Sequence, residues 1–309
     1  MTARFRLVAG PNGSGKTTLM RRLAADYAVN FYDVVNADDI FAEVSRTGRF
    51  APRIPLPDGL LKTYAATTSY PDEVKRLFGS GTVSLESECV RFAPEAVNSY
   101  SVALLADFLQ DVYILHGASF SRETVFSHPS KVKALESAKK AGFRTYLYFV
   151  ATESPDINVA RVGNRAALGG HSVSPEKIAS RFPASVANAA AALPHLSRAF
   201  FFDNSGETMR FFAEWSEEAG LVRVAGEAEP GWFAQIAKSA ERISGTGEMD
   251  AAAGDSAALS ASAAAASRDA VARAFAAGLP ITVMRDGRIV RLAPEGKWEG
   301  VKTRETREA

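Results

Sequence analysis

The run LVAGPNGSGKTTLM, residues 7–20, limits what this chain can fold into more than any other stretch. Apolar Phe5, Leu7 and Val8 read as a strand, and Leu19, Leu23 and Ala24 as the buried face of a helix starting near Lys16. Between them, Gly10, four further residues, Gly15, Lys16 and Thr17 satisfy G-x-x-x-x-G-K-[ST], the phosphate-loop or Walker A pattern. Glycines in such a loop allow turns in which successive N–H groups face inward and cradle an anion. The positive end of the following helix points at the same anion. Lys16 is expected as an exposed ligand group reaching the β- and γ-phosphates, and the Thr17 hydroxyl as a magnesium ligand. The predicted nucleotide-binding set is Gly10, Pro11, Asn12, Gly13, Ser14, Gly15, Lys16, Thr17 and Thr18.

Strand and helix patterns alternate from this loop to about residue 243. Strands are expected at Phe5–Ala9, Tyr32–Asn36, Ser119–Phe126, Thr145–Ala151, Ala199–Asp203 and Leu221–Ala225. Helices are expected at 16–28, 38–47, 95–115, 129–141, 153–167, 175–193 and 206–219. Ser174-Pro175-Glu176 reads as an N-cap, a Pro at the first helical position and an acid in the first turn. Alternation of this kind predicts an α/β fold with a mainly parallel sheet covered on both faces, ligands gathering at the carboxyl ends of its strands. Two stretches break the rhythm. Residues 48–94, rich in Pro and Gly, read as an insertion, either a substrate-facing lobe or a surface decoration. Residues 244–266, dominated by Ala, Gly and Ser, read as a linker. Beyond it, 267–309 predict a small module: a helix from Ser267 to Ala277, then a hairpin of Ile281–Arg285 and Arg288–Leu292 turning at Asp286-Gly287.

Composition narrows the function. The 309 residues are 47% hydrophobic and 23% charged, with a formal net charge of +1. That near-neutral balance supplies no field for a membrane surface and makes a nucleic-acid partner an unfavoured expectation. No apolar run approaches the roughly 20 residues a bilayer-spanning helix needs. The single cysteine, Cys89, excludes an internal disulfide and suits a reducing compartment. With the phosphate loop starting at residue 10, no secretory signal is expected ahead of it, so the cytoplasm is the expected location.

Chemistry beyond the loop is expected at strand ends. NADDI places Asp38 and Asp39 just past the second strand, where a carboxylate is suited to accept a proton from an attacking hydroxyl. The alternative is that Asp38 caps the next helix. Glu123 and Thr124 end the third strand; Glu123 is suited to a substrate hydroxyl or an outer-shell magnesium water, or alternatively to a hydrogen bond with loop amides. Arg161 and Arg165, four apart and followed by Gly169 and Gly170, fit a hinged clamp on a transferring phosphoryl group. His171, beside the two glycines, is a weaker candidate.

Together, AGPNGSGKTT, NADDI, SFSRETVFSHPSK, RVGNRAALGGHSVSPEKI and FFDNSG resemble the zeta-toxin-type P-loop kinases, in their shorter bacterial branch, over about residues 4–206. The resemblance implies a three-layer P-loop kinase fold, ATP or GTP as donor, Mg2+, and phosphoryl transfer to a hydroxyl of a small molecule. In zeta toxins that molecule is a UDP-linked amino sugar. It also implies that Asp38 is the catalytic base, Glu123 a substrate-side acid, and Arg161 and Arg165 part of an arginine-bearing lid. The chain departs from the family after Glu123, where Val125 and Ser127 replace a threonine and an arginine that touch the nucleotide sugar. Such kinases are typically restrained by a small partner, so 267–309 are expected to act as an antitoxin-like module in cis, covering the nucleotide or acceptor cleft, unless a separate small protein does so; the alternative is a docking element for another chain or a homodimer. Rival readings are a polynucleotide kinase and a nucleotide-binding or hydrolysing regulator.

Overall fold

The computed structural model describes residues 2–57, 60, 64, 71–79, 81–86, 88–169, 172–244, 253–286 and 288–300. Strand β1 (Arg4–Ala9) is followed by helix α1 (Lys16–Tyr27), β2 (Asp33–Asn36) and α2 (Ala37–Thr47). Next come β3 (Arg49–Phe50), α3 (Pro71–Gly79), β4 (Val83–Glu86), β5 (Cys89–Phe92), α4 (Ser99–Leu115), β6 (Phe120–Thr124), α5 (Ser130–Lys140) and β7 (Arg144–Ala151). Helices α6 (Pro155–Ala167) and α7 (Pro175–Ala192) lead to β8 (Arg198–Asp203), β9 (Arg210–Ser216), β10 (Gly220–Arg223) and α8 (Ala234–Ser244). The chain continues through α9 (Ala253–Ala276), β11 (Ile281–Arg285), β12 (Arg288–Leu292) and β13 (Trp298–Gly300).

Seven strands form one sheet in the order β10-β9-β8-β7-β1-β6-β2. β2 runs parallel to β6, and β7 parallel to β8, while β9 and β10 close the other edge antiparallel. The mainly parallel sheet with intervening helices is the α/β class expected. β7 (RTYLYFVA) and β8 (RAFFFD) are near-continuous apolar runs, as strands covered on both faces require.

The chain divides into two compact units: residues 1–7, 31–124 and 133–145 in the first, and 8–30, 125–132 and 146–309 in the second. The first is organised around Phe5 and Phe120, whose rings stack with centroids 4.3 Å apart, Tyr113 stacking on Phe120 from α4. The insertion carries order the sequence did not announce. β3, β5 and β4 form a three-stranded antiparallel sheet, and part of the insertion lies outside the described residues.

Two expectations are corrected in the second unit. The helix expected at 206–219 is instead strand β9, paired to β8 on one side and β10 on the other. Phe211, Phe212, Ala213 and Trp215 are all buried, and Phe212 meets Trp232 and Phe233 edge-on. Bulky aromatics suit a pleated, doubly covered surface better than a helix. The linker expected at 244–266 gives way to α9 from Ala253 onward. Alanine has the highest helix propensity, and a partner surface stabilises the rest: α9 packs on α1 and β9. The helix thus begins before Ser267, the expected start, whereas both hairpin strands have the expected bounds. Asp286 takes φ 49 at the hairpin turn, as such turns demand.

A candidate nucleotide site on the phosphate loop

The loop after β1 lies entirely in the second unit, and its shape follows from what surrounds it. Gly10 has φ 145, and a Cβ there would lie 1.9 Å from the Val150 carbonyl oxygen at the end of β7. Gly15 has φ 102 and caps α1; its Cβ would lie 2.7 Å from Asn204 Nδ2. No side chain fits at either position. Two asparagines hold the loop backbone. Asn158 of α6 donates from Nδ2 to the Asn12 carbonyl at 2.5 Å, and Asn204, just past β8, donates to the Ser14 carbonyl at 2.8 Å. Thr152 donates to Asn158 Oδ1 and so orients that amide.

Lys16 departs from expectation. It is 8% exposed, a buried side chain, and its Nζ donates to the Pro11 carbonyl at 2.9 Å. The ammonium is therefore held against the loop's own backbone rather than extended into water. Ser14 is fully buried, and its Oγ has no hydrogen-bond partner among the described residues; the same holds for Asn12 Oδ1 and Asn204 Oδ1. Buried hydroxyls are rarely left unpaired. A buried, unpaired hydroxyl in a glycine-rich loop that runs into a helix N-terminus is suited to a bound oxyanion. The residues present thus fit a nucleotide phosphate. Thr17 and Thr18, half-buried, open α1 beside it.

Arg161 stands on α6, the helix expected at 153–167, which is capped by Ser154, whose hydroxyl accepts from the Asp156 N–H. α6 supplies both Asn158 and Arg161, and Arg161 Nη1 donates to the Asn204 carbonyl at 2.8 Å. Desolvation lowers its pKa to about 10, against the opposing pull of Asp203, so it remains a cation at neutral pH. Arg165, one turn on, is exposed. Gly169 has φ 82, while Gly170 and His171 lie outside the described residues.

Asp203 anchors the strand end below this loop. It accepts from Arg210 Nη2 at 3.0 Å and from Ser205 Oγ, which in turn accepts from the Glu153 N–H at 2.7 Å. Asn158, Asn204 and Asp203 were not singled out in the sequence. FFDNSG carried the last two as a motif without roles, and a buried Asn in an amphipathic helix was the available signal for the first.

In the first unit, the expected acceptor-side residues gather by strand register. Asn36 of β2 lies opposite Glu123 of β6, and Asn36 Nδ2 donates to Glu123 Oε2 at 3.3 Å. Asn36, not Asp38, caps α2: its Oδ1 accepts from the Asp38 N–H at 3.0 Å. Asp38 and Asp39 are exposed, while Glu123 and Thr124 are half-buried. Behind them Arg122, 3% exposed, pairs with Asp107 at 2.5 Å and Gln110 at 2.8 Å, fixing the end of β6 against α4. Asp38, Glu123 and Thr124 therefore belong to one unit, and the phosphate loop, Arg161 and Arg165 to the other. In that second unit, Phe126 is buried with φ 65, a strained conformation for an aromatic residue, and its carbonyl accepts from Asn188 of α7.

The chain matches no protein-family model and no curated protein. It is similar in structure to a chain of the PezAT chromosomal toxin–antitoxin system of Streptococcus pneumoniae, with TM-score 0.41 and 11% identity over 88% of this chain and 87% of that one. It is also similar to a chain of the AvrRxo1-ORF1:AvrRxo1-ORF2 complex with sulphate ions (TM-score 0.43, 14% identity, 85% and 80% covered). The same complex with ATP gives TM-score 0.36 at 14% identity, covering 86% and 80%. The fold class itself rests on the sheet order and on the loop after β1.

Proposed function

We propose that this chain is a magnesium-dependent kinase that transfers the γ-phosphoryl group of ATP or GTP to a hydroxyl of a small metabolite. The acceptor is a nucleotide sugar of the UDP-N-acetylglucosamine type, and the activity is that of a toxin restrained by a small partner protein. The observation that carries the reading is the phosphate loop, with its buried, unpaired Ser14 hydroxyl and its lysine stored on the Pro11 carbonyl.

The nucleotide, with its magnesium, supplies the phosphoryl group. The chain's own residues do the rest by positioning and electrostatics, which is most of what phosphoryl transfer asks. Loop amides and the Ser14 hydroxyl bind phosphate oxygens, and Lys16 exchanges the Pro11 carbonyl for a phosphate. Among the described residues no three His, Cys, Asp or Glu side chains gather as a metal site. Magnesium held by Thr17, phosphate oxygens and water needs no such cluster. Arg161, a cation tied to the loop through Asn204, offsets charge developing on the transferred group, and Arg165 serves it from the next turn. Asp38 takes the acceptor's proton, and Glu123 with Thr124 holds the acceptor.

Incubation with labelled ATP and a metabolite panel led by nucleotide sugars tests this. One hydroxylated compound should gain label, and Lys16→Ala should abolish the transfer while the protein stays folded. Release of inorganic phosphate alone, with every acceptor unlabelled, overturns the kinase reading in favour of a hydrolase.

A further inference from the structure

The C-terminal helix and hairpin, in the same unit as the phosphate loop, reach the segment after β8. Ser267 Oγ of α9 donates to the Glu207 carbonyl at 2.7 Å, and the Met284 N–H of β11 donates to the Ser205 carbonyl at 2.7 Å. These two bonds hold residues 205–207 from two separate elements. Immediately before them stands Asn204, whose N–H donates to the Ala151 carbonyl at 2.8 Å, whose Nδ2 holds the Ser14 carbonyl and whose own carbonyl receives Arg161. Three further ties fix the C-terminal elements around it. Asp269 pairs with Arg22 of α1, and the Pro280 carbonyl accepts from Asn164 of α6. Ile281 and Val283 are buried where β11 packs on α6.

We propose that the C-terminal helix–hairpin is a built-in brace of the phosphate loop, acting through Asn204 as the positioning residue. The inference rests on the nucleotide reading of that loop, and it differs in sign from restraint in cis. A brace raises nucleotide affinity, and loosening it weakens binding. Losing two hydrogen bonds that fix one segment is worth about tenfold in affinity.

The test uses the full chain with Ser267→Ala and Met284→Pro combined, which removes both donors; a proline is tolerated where a strand's N–H points away from its ladder. Asn204→Asp separately removes the donor to Ser14 while keeping the side chain's shape. Amide hydrogen exchange reads the loop without any nucleotide. Exchange at Ser14, Leu19 and Asn204 should speed up about tenfold, with β7 and β8 unchanged. ATPγS should bind the variants about tenfold more weakly than wild type. Wild-type exchange rates at those three amides overturn the brace, and so does faster exchange spread evenly over β7 and β8, which marks a merely structural role. Tighter ATPγS binding by the variants overturns it in favour of restraint. If wild type binds no ATPγS while the loop amides respond as stated, the nucleotide reading falls and the brace stands.

Discussion

Asn36 performs the capping that Asp38 was in line to perform, so the Asp38 carboxylate is not needed by its own helix. Asp38→Asn should therefore leave the melting temperature unchanged while lowering phosphoryl transfer by about two to four orders of magnitude. Asp39→Asn run in parallel identifies the wrong choice of carboxylate if it alone cripples transfer. Arg161 differs, because its guanidinium also satisfies the Asn204 carbonyl. Arg161→Ala should cost about 1–3 kcal/mol of stability in denaturant melts and roughly 2–4 kcal/mol of barrier in the transfer assay. Exposed Arg165→Ala should lower the rate with little change in the melt. The turn between β1 and α1 was legible because its motif residues sit within a few positions of one another, whereas Asp38, Glu123 and the two arginines were singled out by their places at strand ends and on one helix and stay candidates. Asn158 and Asn204 were not. Their partners lie 146 and 190 residues away in the chain, and only the fold makes them neighbours.

Elements were legible where local pattern and tertiary environment agree. β7, β8, α6, α7 and both hairpin strands fall within a residue or two of expectation. β9 failed because RFFAEWS, buried along most of its length, does not alternate, and its spacing also satisfies a helical stripe. Only the neighbours β8 and β10 decide the matter. Phe212 shows the strength of that environment, being 1% exposed between Trp232 and Phe233. Phe212→Ala should destabilise the protein by about 3–5 kcal/mol in urea unfolding, since neighbouring rings collapse only partly into the cavity. α9 failed in the opposite sense. Its Ala- and Ser-rich sequence has no amphipathic signature of its own, and α1 supplies the surface that a sequence window cannot contain. Ala263, fully buried, shows that small side chains there serve close approach rather than flexibility.

At the scale of the molecule, the second unit joins residues 8–30 to everything beyond Tyr146, so the phosphate loop and the C-terminal hairpin share one structure. A protein cut after Ser244 should melt at a lower temperature than the full chain, because Ile281, Val283, Leu259 and Ala263 leave their packing. Differential scanning calorimetry of the two forms checks this; equal melting temperatures would show the C-terminal elements to be passengers. The arrangement also sets a clock on synthesis. Gly10 to Thr17 leave the ribosome about 250 residues before Ser267 and Met284. At roughly 5–20 residues per second, the interval is on the order of tens of seconds. A nascent chain stalled before Ser267 should therefore capture ATPγS about tenfold more weakly than the released protein. Until Ser267 and Met284 are in place, the loop would hold a nucleotide less tightly than it does in the finished fold, so the binding strength of this site would rise in the course of synthesis.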